Sequence, residues 1–305
     1  MRNIHLDALE IFHAVATEGG IVRAAEKLHR VQSNVTTRIK QLEERLGVSL
    51  FLRQGRRLAL SAEGQLLMGY AERLLRLSDE AEAALRAGRP LGSFRLGSLE
   101  STAGSRLPPI LSRYNKLHPG VRIELATGTT NSLVTRVMNF DLEAAFVSEP
   151  FTAPGLEALP VFEEELVLIS ARSHPPIEDA ASLGRCTLIA FANGCSYRKR
   201  LEDWLGKSNL MPERVLEFAS YQAIVACVAA GTGVAILPRS LLAALRASGE
   251  VRIHPLPPRI TKNRTHLIWQ PGHESLALRS LIHLLRTEDK PRPAAQARKP
   301  AAVAA

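Results

Sequence analysis

A 305-residue chain that is 46% hydrophobic and 23% charged has the composition of a soluble globular protein, and its length predicts two or three domains. The net charge of +9 is unevenly placed: residues 1–62 hold 10 Lys/Arg against 6 Asp/Glu, a balance of +4, and residues 286–305 add +3 from 5 against 2. The intervening stretch is therefore nearly neutral, and a basic N-terminal module on such a body points to a polyanionic partner.

The opening residues, MRNIHLDALEIF, carry Asp7 and Glu10 where an export signal needs an unbroken apolar run. The most apolar segment, residues 223–238, is short for a membrane span and is interrupted by Gly231 and Gly233. Three cysteines without a CxxC pair exclude a disulfide framework and suit a reducing compartment, so a cytoplasmic protein is expected.

Leu6, Leu9, Phe12, His13 and Val15 predict a first helix. In AAEKLHRVQSNVTTRIKQLEERLG (24–47), Ala25, Leu28, Val31, Val35, Ile39, Leu42 and Leu46 recur at helical spacing. The pattern breaks near 29–31, which predicts a short helix over 22–28 and a longer one over 33–46. Ser33 is the expected N-cap, and Gly47 the stop. Two helices joined by a tight turn make a helix-turn-helix, whose second helix can lie in the major groove. Gln32, Ser33, Asn34, Thr36, Thr37, Arg38 and Lys40 offer the donors and acceptors that read base edges. Two short strands are predicted within LFLRQGRRLALS (50–61), a wing whose Arg53, Arg56 and Arg57 suit phosphates or the minor groove. Spacing alone equally fits an amphipathic hairpin with a solvated polar face.

No proline interrupts residues 61–86, where Leu67, Tyr70, Leu74, Leu77, Ala81 and Ala84 step as an a/d seam. The seam fits either a paired helix or one packed on its own domain. Gly88, Arg89 and Pro90 end it in a hinge.

Beyond residue 92 strands and helices alternate. Strands are expected at 94–99, 122–126, 144–147, 166–170, 187–191, 234–237 and 266–270. Helices are expected near 103–117, 131–139, 197–206, 221–230, 239–248 and 275–286. Such alternation argues for parallel α/β sheets, whose ligands sit beyond the strands' carboxyl ends where helices begin. Polar turns at those points contain Ser98, Ser101, Thr102, Thr127, Thr129, Ser148, Asn193, Ser196 and Tyr221. Each turn alone reads equally as a helix cap; five on one cleft would favour a small anionic metabolite.

No recognisable catalytic constellation is present. GTG (231–233) follows a helix and precedes a strand, the reverse of a dinucleotide fingerprint, and the nine histidines show no metal-ligand spacing. Neither catalytic nor metal residues are expected, nor a cofactor other than a small-molecule co-inducer. Cys195, beside Arg198, Lys199, Arg200 and a helix start, is expected to have a lowered thiol pKa. The tail after residue 287 (EDKPRPAAQARKPAAVAA) has little to bury and reads as disordered.

Taken together, Ala24–Ala25 with Leu28, Gln32–Ser33, IKQLEERLG, LFLR and LSAEG resemble the DNA-binding region of the LysR-type transcriptional regulators, and the resemblance extends through about residue 285. It departs at Gly20-Ile21-Val22-Arg23, where many members have Ser-x-Ser before the Ala pair. The resemblance implies an α + α/β architecture: a winged helix-turn-helix (1–60), a dimerisation linker helix and hinge (61–91) and a two-subdomain α/β effector domain similar to periplasmic binding proteins (92–287), with the tail at 288–305. Subdomain I would comprise 92–162 and 267–287, and subdomain II 163–266, the chain crossing near 161–163 and 264–267. It further implies a homodimer built by antiparallel pairing of the linker helix, a homotetramer on promoter DNA, and an effect on RNA polymerase. Cys195 lies similarly to the reactive cysteine of peroxide-sensing members, though no resolving cysteine follows it before Cys227. A thiol-based redox sensor, or a small-molecule-binding protein without sequence-specific DNA readout, is the alternative.

Overall fold

Leu9, Phe12 and Val15 fall on one side of helix α1 (Leu6–Glu18), and all three are buried, as their spacing requires. The computed structural model describes residues 4–54, 57–87, 90–184 and 186–288. The chain divides into two compact units at residues 88–89.

In the first unit α1 is followed by α2 (Ile21–Lys27), α3 (Gln32–Leu46), strands β1 (Phe51–Gln54) and β2 (Arg57–Leu60), and α4 (Ala62–Ala87). β1 and β2 form an antiparallel ribbon. Ser33 is not the N-cap of α3. The helix starts one residue earlier, because the Val31 carbonyl already accepts from the N–H groups of Asn34 and Val35 at 3.0 and 3.3 Å. Gly47 ends it in the left-handed region, φ 70°, where other residues pay a steric penalty. Glu43 ties α3 to the ribbon, its Oε1 accepting from the N–H groups of Leu50 (2.7 Å) and Phe51 (3.2 Å). Ser61 opens α4: its Oγ accepts from the Gly64 N–H at 2.9 Å and donates to the Ser49 carbonyl at 2.7 Å.

The α4 seam is partitioned differently from its periodicity. Leu67 packs with Ala71 into the core of the unit, whereas Leu66, Tyr70, Leu74 and Leu77 are exposed and step by 4, 4 and 3. Ala81 is exposed too, and the side chain of Ala84 lies outside the description, as do Gly88 and Arg89 of the expected hinge.

The second unit runs β3 (Gly92–Leu99), α5 (Glu100–Ser105), α6 (Leu107–Leu117), β4 (Val121–Gly128), α7 (Thr130–Met138), β5 (Ala144–Ser148), β6 (Glu157–Ala171), β7 (Thr187–Phe191), α8 (Ser196–Lys207), β8 (Arg214–Phe218), α9 (Tyr221–Ala229), β9 (Ala235–Pro238), α10 (Arg239–Ala244), β10 (Val251–His254), α11 (Pro258–Thr261), β11 (Lys262–Trp269) and α12 (Leu276–Glu288). The helix expected over 103–117 is two, broken at Arg106, because Pro108 and Pro109 have no N–H to continue the ladder of α5. Most of the expected disordered tail, from residue 289, lies outside the described residues.

The sheets are mixed rather than parallel. β3 pairs in parallel with β4 and β5, and β7 with β8, but β6 and β11 run antiparallel to all their neighbours. These two strands carry the chain out and back. Residues 157–162 of β6 pair with 265–269 of β11, beside β5. After a register shift between Thr265 and His266, residues 166–171 pair with β9 and β10. Strands that cross in opposite directions must lie antiparallel. Phe94, Phe146, Leu267 and Leu281 belong to the core on one side of this crossing, and Val167, Leu188, Trp204 and Leu237 to that on the other. Among the described residues no helix is long and apolar enough to cross a membrane.

His254 in β10 is held neutral. Its Nδ1 accepts from the Ile177 N–H at 3.0 Å, which leaves the proton on Nε2, 2.7 Å from Ser170 Oγ. Burial lowers its pKa, helped by His174 and Arg252. Above the ordinary histidine range the ring is neutral in both states. As pH falls through about 6.5 the unfolded chain takes up the proton first, and stability declines toward the lowered folded value. His254→Asn keeps an acceptor for Ile177 but does not titrate. Its melting temperature, followed from pH 8 to 5, is expected to fall less steeply than that of the parent; parallel curves would exclude His254 as the cause.

Candidate nucleic-acid interface and ligand cleft

On α3 the buried Val35, Ile39 and Leu42 turn one side to the core, and Ser33, Thr37 and Lys40 stand exposed on the opposite side. Thr36 is half-buried, and its hydroxyl donates to the Gln32 carbonyl at 2.9 Å, so it retains only acceptor capacity outward. Asn34 and Arg38 lie one turn apart on the flank toward α1. There Arg38 Nε stands 3.9 Å from Asp7 Oδ2, while Arg30 Nη2 donates to Asp7 Oδ1 at 2.6 Å. A surface concavity of about 470 Å³ opens here, lined by His5, Asp7, Arg30, Arg38, Gln41 and Arg45. Sequence reading missed Asp7 and Arg30, since 23 positions separate them and no motif joins them. Backbone alone is described for Arg53 and Arg57, on the two strands of the ribbon, and Arg56 lies outside the described residues.

In the second unit the predicted polar turns do not all converge. Ser98, Ser101, Thr102, Ser148, Ser196 and Tyr221 are buried, whereas Thr127 and Asn193 are exposed and Thr129 is half-buried as the N-cap of α7. Two of the buried ones, Ser101 and Ser148, meet the Tyr197 hydroxyl, which lies 3.3 Å from Ser101 Oγ and so joins α8 to α5. Ser148 Oγ accepts from Asn263 Nδ2 at 2.8 Å. The Asn131 N–H reaches the Gly194 carbonyl at 3.4 Å, so the start of α7 and the turn before α8 also meet. Ser98, however, spends its hydroxyl on the Leu99 carbonyl at 2.9 Å, and Asn193 accepts from the next N–H at 2.8 Å. These two behave as local turn residues.

The expected lowering of the Cys195 pKa is overturned. Burial pushes this thiol up, ahead of the lowering effects of the Arg198 and Tyr197 N–H groups. The nearby cations are engaged elsewhere: Arg198 with Glu202 and Glu217 at 2.7 and 2.5 Å, Lys199 with Asp203 at 3.3 Å. Arg200 donates to the carbonyls of Glu149, Arg259 and Lys262 at 3.1–3.3 Å. Sulfur and Tyr221 Oη are 3.9 Å apart, and the Tyr221 ring stacks on Phe191.

A second contact between the lobes was not legible in sequence. Arg106, between α5 and α6, donates to both oxygens of Glu164 on β6, Nε to Oε1 at 2.7 Å and Nη2 to Oε2 at 3.1 Å. Ser240 of α10 donates to Oε2 at 2.7 Å. Three elements from both sides of the crossing thus meet at one carboxylate whose side chain is 3% exposed.

A helix-turn-helix with an exposed polar face, on the same chain as an α/β unit of two lobes, defines the class of two-domain helix-turn-helix regulators. Residues 6–65 match the bacterial regulatory helix-turn-helix proteins of the lysR family, and residues 87–290 match the LysR substrate binding domain. The chain is 41% identical to the uncharacterized HTH-type transcriptional regulator YusT of Bacillus subtilis, over 85% of this chain and 88% of that protein. It is 39% identical to GltR of the same organism, over 82% and 85% respectively. The chain belongs to the LysR family of transcriptional regulators; these relatives are regulators, not enzymes. In fold it is similar to a full-length OxyR variant from Pseudomonas aeruginosa (TM-score 0.69, 21% identity, covering 94% and 95% of the two chains). Full-length CbnR solved with its target DNA is comparable (TM-score 0.66, 23% identity, 93% and 99%).

Proposed function

We propose that this regulator binds dyad-symmetric promoter DNA as a homodimer in the cytoplasm, laying α3 in the major groove and the β1–β2 ribbon against the backbone or minor groove. The observation that carries the reading is α3 itself: Gln32, Ser33, Asn34, Thr37, Arg38 and Lys40 are exposed, while the side turned to the core, Val35, Ile39 and Leu42, is apolar. Family membership and the DNA-bound CbnR of similar fold support it. Arg53, Arg56 and Arg57 supply phosphate or minor-groove contacts in this reading.

Pairing falls to the exposed row Leu66, Tyr70, Leu74 and Leu77 on α4, an apolar stripe that a monomer would leave in water. Two dimers then make the tetramer on DNA. Leu77→Glu is expected to shift the protein toward monomer in sedimentation velocity and to abolish the preference for a dyad over a half-site. A dimer of unchanged strength would move the interface elsewhere.

The effector, a small anionic metabolite acting as co-inducer, binds between the two lobes of the α/β unit. Ser101, Thr102, Ser148, Ser196 and Tyr221 line its site, with Thr127, Thr129 and Asn193 toward the rim. It acts only through its differential affinity for open and closed lobes, and closure alters how the assembly bends DNA and exposes it to RNA polymerase.

The test is binding to two duplexes, one dyad-containing promoter recovered from sheared genomic DNA and one scrambled, across a salt series. Base readout keeps a gap of several kcal/mol between them, while phosphate contacts alone give equal affinities and equal salt slopes. Arg38→Ala should narrow that gap by about 1–3 kcal/mol. An unchanged gap would remove Arg38 from the reading set.

A further inference from the structure

Two polar side chains, on α5 and α8, are left unsatisfied: a carboxylate oxygen that can only accept and a hydroxyl that can donate. Glu100 Oε2, at the start of α5, is buried and has no hydrogen-bond partner. Ser196 Oγ, in the first turn of α8, has none either, and its residue is 4% exposed. A buried carboxylate oxygen or hydroxyl without a partner costs free energy that a native site normally recovers from something it binds.

Glu100 and Ser196 each stand next in sequence to a member of one set of contacts. Ser101, next to Glu100, lies 3.3 Å from the hydroxyl of Tyr197, next to Ser196. The Tyr221 N–H supports the Glu100 carboxylate, and the Tyr221 hydroxyl sits 3.9 Å from Cys195 on the other side of Ser196. The nearby guanidiniums do not serve Glu100: Arg106 is bidentate on Glu164, Arg198 is paired with two glutamates, and Arg200 is held by three backbone carbonyls. Among the described residues no cation pairs with Glu100. Ser196 opens a 12-residue helix, whose N-terminus and unpaired hydroxyl favour an anion.

A purely anionic effector would satisfy α8 and be repelled by Glu100. We propose that the effector's anionic group comes with an amine: it is a small zwitterion, an amino acid whose ammonium group donates to Glu100 Oε2 and whose carboxylate accepts from Ser196 at the start of α8. This assignment rests on the effector reading above and narrows its chemistry. Glu100 is then the residue that selects for the amine.

The full-length protein would be screened by thermal shift against the twenty protein amino acids. Each is paired with its 2-hydroxy acid, which keeps the carboxylate, and with its decarboxylated amine; calorimetry then follows any hit. At least one amino acid is expected to bind about tenfold or more tightly than both of its partners, as a buried acceptor left without its donor demands. Glu100→Gln should lose that advantage, bringing the amino acid to the level of its 2-hydroxy acid. Its unliganded melting temperature should be unchanged or raised, because the substitution removes only an unpaired buried charge. Ser196→Ala should weaken the amino acid and the hydroxy acid together. Equal binding of amino acid and hydroxy acid by the parent protein, or an amino-acid affinity insensitive to Glu100→Gln, would overturn the zwitterion while leaving a carboxylate effector in place. Binding of none of the sixty compounds would overturn it as well. If a small-molecule cell extract also gave no stabilisation, the effector reading itself would fall.

Discussion

Arg106→Leu is expected to destabilise the α/β unit by about 3–5 kcal/mol, the cost of leaving a buried charge without its partner. The loss is asymmetric. The Glu164 side chain is 3% exposed and cannot reach water when Arg106 is removed, so only Ser240 continues to hydrogen-bond it. Arg106 is 36% exposed and can turn outward when Glu164 is neutralised, so Glu164→Gln should cost no more than about 1–2 kcal/mol. Urea unfolding followed by tryptophan fluorescence measures this unit alone, because the chain's two tryptophans, Trp204 and Trp269, both lie in it. Equal losses for the two variants would mean that burial of Glu164 is not what sets the cost. Because the pair joins α5, β6 and α10, the same variants should also change effector affinity, if closure of the lobes is the response.

The second large effect is expected in the first unit. Gly64 lies in the first turn of α4 where a Cβ would stand 2.1 Å from the carbonyl oxygen of Leu50 and 3.0 Å from Leu60 Cδ2. That carbonyl accepts from the Ser61 N–H at 2.9 Å, so moving it breaks the joint between the ribbon and the helix. Gly64→Ala should therefore cost about 3 kcal/mol, the upper part of the range for overpacking. Gly69 on the same helix has open space around its Cβ position, and Gly69→Ala should stabilise by about 0.5–1 kcal/mol through helix propensity. Hydrogen exchange of α1–α4 amides reads both, and tryptophan fluorescence should stay blind to either. Unaltered protection in Gly64→Ala would show that the ribbon yields at little cost.

Gly64 also shows why short motifs were so informative. LSAEG is a physical unit: Ser61 caps α4, and Gly64 admits the Leu50 carbonyl. IKQLEERLG is another, with Ile39 and Leu42 in the core, Glu43 holding the β1 backbone and Gly47 in the left-handed stop. In both, neighbours along the chain are neighbours in space, so spacing carries the information. The Ser33 cap failed because Val31's carbonyl had already begun the helix, a one-residue difference that hydroxyl propensity does not resolve.

The α/β unit was legible where strands are buried and helices amphipathic. β8, whose burial alternates weakly along an edge, and the four-residue β10 were missed because neither has enough apolar contrast to rise above its surroundings. Strand direction was misjudged for a deeper reason: alternation of elements says that strands and helices pack in layers, but not that two strands leave and re-enter a lobe in opposite senses.

By itself, then, the sequence determined the helix-turn-helix, the ribbon, the long helix α4, most elements of the α/β unit and the family, because each rests on contacts or periodicities among neighbouring residues. Only the tertiary structure decided which polar side chains remain without partners, that Arg106 belongs to Glu164, that Cys195 is buried with its pKa raised, and that Leu67 faces inward while Leu66, Tyr70, Leu74 and Leu77 face out. Those outcomes depend on groups far apart in the chain, such as Arg106 and Glu164, 58 positions apart, and on the water excluded between them, neither of which local spacing encodes.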